Sequence, residues 1–121
     1  MSKPDFRTHL LHGIRLFNER QFWHAHEAWE TIWLAATSEV KLFLQGLIQL
    51  AAAYHHVQRG TTRGAPRLFE AALRKLAAFP AGYCGIDRAA AEAAARARSE
   101  SYPVLTLLTT EDDVKPPRDD W

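Results

Sequence analysis

A twelve-residue segment, FWHAHEAWETIW at positions 22–33, constrains the fold of this chain more than any other feature. As a helix, with about 100° of turn per residue, it places on one face three large aromatic side chains, a histidine and a glutamate: Phe22, His26, Trp29, Glu30 and Trp33. Aromatic side chains of this size predict that the face packs into a core. A carboxylate among them is costly unless it is paired or hydrogen-bonded, so we expect buried partners for Glu30 and His26.

Apolar residues recur with helical spacing along most of the 121 residues, a length typical of one domain. Five helices are expected, at about Pro4–Asn18, 22–36, Glu39–Arg59, 65–79 and 87–99. The run Tyr102–Leu108 tolerates extended structure but has no partner strand. The fold class is therefore all-α, a compact single-domain bundle of about five helices over residues 1–108 with an extended C-terminal segment. Residues 109–121 are charged and contain prolines, and we expect them to form a flexible tail.

Composition narrows the class of protein. The net charge of +1 gives no overall field that would attract nucleic acid, so nucleic-acid binding is not expected. The single cysteine, Cys84, excludes an internal disulfide and fits a reducing cytosol. The most apolar run, Leu42–Val57, is too short and too often interrupted by polar residues to span a bilayer, and no apolar leader follows Met1. We therefore expect a cytoplasmic protein without membrane association.

The third helix bears most directly on a site. It is apolar nearly all round, which is typical of a central helix, except for one polar stripe of Gln45, Gln49 and His56. In the simplest arrangement this stripe faces His26 and Glu30 across the interface of the second and third helices. The amides and imidazoles would then satisfy the carboxylate, and the sequence predicts a buried His/Glu/Gln cluster.

Three interpretations of this cluster stay open. It is a structural polar network that fixes the packing of the helices, a metal site, or a catalytic site. As a metal site it would bind a divalent transition metal through His26, Glu30 and His56, although glutamine is a poor ligand and the usual Glu-x-x-His spacing is missing. As a catalytic site it would use Glu30 as general base with His26 as its partner.

The ligand-binding candidates include two members of the cluster and three residues outside it: Gln45 and Gln49, and Trp33, Glu27 and Arg67. Glu27 flanks the aromatic face and is a candidate for the rim of a pocket. Arg67 lies with Arg59 and Arg63 around the loop before the fourth helix, where backbone amides could hold an anion. The alternative for these three arginines is a solvated basic loop.

Four segments of the chain resemble a known family. They are LFNERQFWHAHEAWETIW, FLQGLIQLAAAYHHVQRG, GAPRLFEAALRKL and YCGID, and in order and spacing they are similar to the bacterial and archaeal domain of unknown function family 309, over roughly Phe6 to Leu108. The resemblance implies a small all-α bundle with no assigned activity. Its signature residues correspond to His26, Glu27, Glu30, Trp33, Gln45, Gly46, Gln49, His56, Gly60 and Arg67. The chain departs from the family pattern at His24 and at Thr61-Thr62.

Two functions follow as expectations. The first is binding of a small-molecule ligand or a metal ion at the cluster, with metal-assisted hydrolysis as its catalytic form. The second is a helical interaction module, in which the polar cluster is purely structural and the tryptophan face and the weakly packed fifth helix serve a partner protein or a homo-oligomer.

Overall fold

The computed structural model describes residues 3–61, 63–98 and 101–121, and it confirms the all-α bundle. Within these residues the chain forms five α-helices and two short 3-10 turns, at Tyr83–Gly85 and Glu111–Asp113. The α-helices are α1 (Phe6–Asn18), α2 (Phe22–Ala35), α3 (Ser38–Arg59), α4 (Ala65–Ala77) and α5 (Arg88–Ala97). The described part of the chain contains no strand, and its one isolated antiparallel bridge pairs Ile86 with Leu107.

The central helix is α3, as its apolar composition predicts. It packs against α2 on one side and α4 on the other, while α1 covers α2 and α5 covers α4. The largest side chains removed completely from solvent are aromatic, and they meet where α1, α2, α3 and α4 converge: Phe17, Phe22, Trp29, Tyr54 and Phe69. Among the described residues no helix has the length and apolar character needed to cross a bilayer.

Helix ends follow local chemistry. Gly60 ends α3 in the left-handed conformation, with φ of 74°, as its position predicts. The Asp87 side chain caps α5 by accepting from the Ala90 N–H, which is also as predicted. The start of α1 differs from the prediction, because the Asp5 carboxylate accepts from the Thr8 N–H and the helix begins at Phe6 rather than at Pro4. The predicted end of the fifth helix near position 99 lies outside the described residues.

Helices α1 and α2 approach closely at a glycine. The indole of Trp29 lies directly over Gly13, and its Nε1–H donates to the Leu10 carbonyl at 3.2 Å. A Cβ on Gly13 would lie 2.5 Å from Trp29 Cε2, well inside ordinary contact. The missing side chain therefore makes room for the fully buried indole and sets the spacing of the two helices.

The C-terminal segment lies against the bundle at several points. The Asn18 side-chain amide both donates to the Leu105 carbonyl (2.9 Å) and accepts from its N–H (2.7 Å). Further on, Val114 and Trp121 are buried. The Thr37 N–H donates to the Trp121 carbonyl at 2.6 Å. These contacts tie residues 109–121 to the ends of other helices, and the flexibility of this tail stays a prediction.

Candidate functional site

The central prediction, a buried Glu30, is wrong. The Glu30 side chain is 47% exposed, while His26 is 18% exposed, and the two are paired with 3.5 Å between His26 Nε2 and Glu30 Oε2. The residues that α2 buries include Ala25, Trp29 and Ile32. Glu30 is one 100° step from Trp29, on the side away from Ala25 and Ile32, and this step is enough to carry its carboxylate to the surface.

The polar stripe of α3 does not meet α2 either. The Gln49 Oε1 accepts from Lys75 Nζ of α4 at 3.0 Å, and His56 Nδ1 lies 2.9 Å from Thr61 Oγ1 in the following loop. Gly46, on the same helix, lets α4 come close, since a Cβ there would lie 3.2 Å from Leu76. Within the described residues no polar or charged side chain is fully buried, so the predicted buried His/Glu/Gln cluster is wrong.

The predicted metal ligands are not assembled. Over residues 3–61, 63–98 and 101–121, no group of three or more His, Cys, Asp or Glu side chains is arranged to hold a metal ion. His26 and Glu30 remain paired on α2, whereas His56 is engaged by Thr61 at the end of α3. The stripe that carries His56 faces α4 and the loop, so a third ligand does not reach the pair. The catalytic roles of Glu30 and His26 stay predictions.

The structure instead assembles three rings from two helices, which we call the ring cluster: Trp23, His26 and His55. The Trp23 ring is stacked on His26, with centroids 4.7 Å apart and planes inclined by 15°. Its centroid is also 5.2 Å from that of His55 on α3. Although both neighbours contact it, the Trp23 side chain is 48% exposed. The α2–α3 face therefore presents a large aromatic surface to solvent in a fixed position.

Two members of this cluster, Trp23 and His55, are not among the site residues predicted from the sequence. Lys41 and His55 are two heptads apart and therefore lie on nearly the same side of that helix. Lys41 lies over the Trp33 ring of α2, with 4.3 Å from Nζ to the centroid. The contact between Lys41 and Trp33 shows that this side of α3 faces α2. The heptad spacing of Lys41 and His55 is the sequence signal that could have placed His55 there.

The electrostatics of the ring cluster favour neutral imidazole on α3. Burial lowers the pKa of His55, and the nearby charges of Arg59, His56 and His26 lower this pKa further. His55 is therefore neutral at pH 7 and can donate or accept one hydrogen bond. On α2, the Nδ1 of His26 and the Nε1 of Trp33 are buried without a hydrogen-bond partner, and the Glu30 carboxylate faces solvent with free acceptor positions.

The other predicted residues lie away from the ring cluster. Glu27 is exposed and pairs with His24 at 3.0 Å. It lines a cavity of about 470 Å³ between α1 and α2 together with His9 and His12, so it faces a different groove. Arg67 is exposed in the first turn of α4. The described structure thus divides the candidates among different surfaces, and His26 and Glu30 are the predicted catalytic residues that lie at the ring cluster.

Comparison with known proteins identifies the family. No curated protein matches the chain, and no solved structure does. A family model described as a domain of unknown function, DUF309, matches residues 10–68. This segment runs from within α1 to the first turn of α4 and contains all three residues of the ring cluster. The resemblance noted from the motifs is confirmed, because residues 10–68, just under half of the 121 residues, match the DUF309 family model.

Proposed function

We propose that this protein is a ligand-binding domain that holds a small planar ligand on the ring cluster. The observation that carries the proposal is the half-exposed Trp23, which is stacked on His26 and lies 5.2 Å from His55. An aromatic side chain that two helices hold in place loses little conformational freedom when a ligand stacks on it. Offset stacking of a second ring is the interaction for which such a surface is suited.

Polar groups beside the rings give the ligand further contacts. The Glu30 carboxylate, half-exposed and paired with His26, can accept hydrogen bonds from ring N–H or amino groups. Neutral His55 can donate or accept one more. Trp33, Gln45 and Gln49 stay predictions as ligand-binding residues, and Gln49 accepts from Lys75 on the side of α3 that faces α4. Binding is proposed rather than metal-assisted hydrolysis because, among the described residues, no third ligand joins the His26–Glu30 pair to form a group that could hold a metal ion.

The experiment follows the indole N–H and histidine resonances of the 13.7 kDa protein by two-dimensional NMR. Adenosine and indole are added at about 1 mM, because fragments of this size bind in the millimolar range. We expect the Trp23 indole and the His26 and His55 rings to shift. The Trp121 indole should not move, since Thr37, its partner, precedes α3 and lies about 27 Å along that helix from His55.

Two variants make this test specific. Trp23→Ala removes the stacking surface and should abolish the shifts of His26 and His55. Leu34→Ala is the matched control, because Leu34 is another exposed apolar residue of α2, and it should leave the shifts unchanged. If neither probe moves the Trp23 resonance, or if both probes still act on Trp23→Ala, the ring cluster is not the binding surface and the proposal fails.

A second candidate, self-association, is favoured by a different observation. Leu34 at the end of α2 and Leu42 at the start of α3 are 67% and 51% exposed, and the two lie on either side of the short α2–α3 connection. A contiguous exposed apolar patch is typical of an interface, and we infer that these two leucines contribute to one. Sedimentation of the wild type should show a dimer that Leu34→Ser combined with Leu42→Ser weakens by at least about tenfold, or about 1.4 kcal/mol. A monomer at every concentration contradicts this candidate.

A further inference from the structure

The end of the bundle beside the ring cluster carries arginines without acidic partners. Arg59 is the last residue of α3, Arg63 precedes α4 and Arg67 lies in its first turn, and all three are exposed. Over the described residues no carboxylate lies within the 4.0 Å of an ion pair to any of them. The contrast is α5, where Arg88 and Arg96 both pair with Glu92. The positive charge at this end is therefore not neutralised locally.

These arginines are continuous with the ring cluster. The Arg59 charge reaches His55, since it contributes to lowering the pKa of that imidazole. His56 continues the surface, because its ring centroid is 6.3 Å from that of His55. A Cβ on Gly64 would lie 3.9 Å from His56 Nε2, so the start of α4 borders the same surface. A path of contacts thus leads from Trp23 to the loop that carries Arg63.

Acidic residues are few around this path. Neither α2 nor α4 has an acidic residue in its first turn. Glu30 lies beside the ring cluster but is paired with His26. Glu27 pairs with His24 in the groove between α1 and α2, and the exposed Glu70 is one turn beyond Arg67 on α4. Although the whole chain has a net charge of only +1, this end of the molecule is locally basic.

We propose that the ligand of the ring cluster is a nucleotide, whose base stacks on Trp23 and whose phosphate is bound by Arg59, Arg63 and Arg67. The inference rests on the proposed function, because the ring cluster supplies the base-binding surface. Arginine is suited to bind the phosphate of a nucleotide, since its planar guanidinium donates two parallel hydrogen bonds to phosphate oxygens. The same chemistry is offered by a free mononucleotide and by a nucleotide within a single strand of RNA.

The test compares four probes by NMR titration at low salt: adenosine, AMP, inorganic phosphate and a short single-stranded oligoadenylate. We expect AMP to bind at least about tenfold more tightly than adenosine, and the difference to shrink as salt screens the arginine charges. A double variant, Arg59→Gln with Arg63→Gln, should remove the difference by weakening the binding of AMP to the level of adenosine. Arg74→Gln, at an exposed arginine further along α4, is the matched control and should behave as the wild type.

The outcomes separate the two proposals. Equal binding of adenosine and AMP overturns the nucleotide inference and leaves the planar-ligand function intact. Failure of both to move the Trp23 resonance overturns both proposals. Binding of inorganic phosphate as tightly as AMP overturns the nucleotide inference alone, because the base then adds no affinity. If AMP shows the expected difference, the oligoadenylate distinguishes the source. Tighter binding than AMP supports a single strand, and equal or weaker binding supports a free nucleotide.

Discussion

Adding one methyl group at Gly13 tests how closely α1 and α2 are packed. In Gly13→Ala the new Cβ would lie 2.5 Å from Trp29 Cε2, where ordinary contact begins at 3.4 Å, and it would also overlap the indole nitrogen. The ring must therefore move by about 1 Å. Trp29 is completely buried, so such a movement displaces core neighbours and breaks the indole hydrogen bond to Leu10.

The magnitude follows from three contributions. Overpacking of a core costs up to about 3 kcal/mol, and the lost hydrogen bond costs about 1 kcal/mol. Alanine is better than glycine inside a helix by about 1 kcal/mol, which acts in the opposite direction. The free energy of unfolding should fall by about 3 kcal/mol, which for a chain of this length lowers Tm by about 12 °C.

Thermal and urea denaturation, followed by circular dichroism, measure this loss. Gly46→Ala is the matched control, because Gly46 is also a buried helical glycine, but a Cβ there would lie 3.2 Å from Leu76 and Lys75, which small shifts relieve. We expect it to change stability by less than about 1 kcal/mol. Adding Trp29→Phe to Gly13→Ala should make the combined loss smaller than the sum of the single losses. A Gly13→Ala protein that melts at or above the wild-type temperature would refute this account of the packing.

Three further predictions concern single side chains. The pKa of His55 should lie below 6.5, so the unfolded chain takes up the proton first and the stability of the fold decreases as the pH drops below this value. Measured by NMR, Arg59→Gln should raise this pKa only partway to 6.5, because burial is the main cause of the shift. An unchanged pKa would contradict the contribution of Arg59. Burial raises the pKa of Cys84 to about 12, so Ellman's reagent should react slowly with the native protein at pH 8 and rapidly with the protein unfolded in urea. A reaction of the native protein as fast as that of free cysteine would contradict the burial of Cys84. Trp121→Ala should cost about 3 kcal/mol by urea denaturation, against less than about 1 kcal/mol for the half-exposed Trp23→Ala, and a mobile tail would instead give no loss.

Local features of the fold were predictable because their causes are local. Gly60 at the end of α3 and Asp87 at the start of α5 act on backbone groups within a few residues, and these are the signals that a single sequence carries. The apolar circumference of α3 likewise predicts a central helix without reference to its neighbours. Asp5 shows the limit even here, because both Pro4 and Asp5 suit a helix start and only the structure shows that the carboxylate caps Thr8.

The site was less predictable because periodicity assigns residues to a face but does not say which neighbour covers it. The stripe containing Gln49 is polar, as expected, but it faces α4 rather than α2. There Gln49 accepts from Lys75, a residue 26 positions further along the chain. Helical spacing places Glu30 on the aromatic face of α2. The neighbouring helices cover only part of this face, and Glu30 lies on the part that stays exposed. Such outcomes depend on contacts between distant residues, which helical spacing cannot encode.

The contacts of the last segment bear on the order in which the chain folds. The Arg7 side chain donates to the Val114 carbonyl across 107 residues of sequence, and Trp121 packs on Phe6 with ring centroids 5.0 Å apart. Closing so long a loop is entropically costly, whereas the antiparallel contacts of α1, α2 and α3 close short ones. We therefore expect the helices to assemble first, and Phe6 to stay uncovered until Trp121 has packed on it.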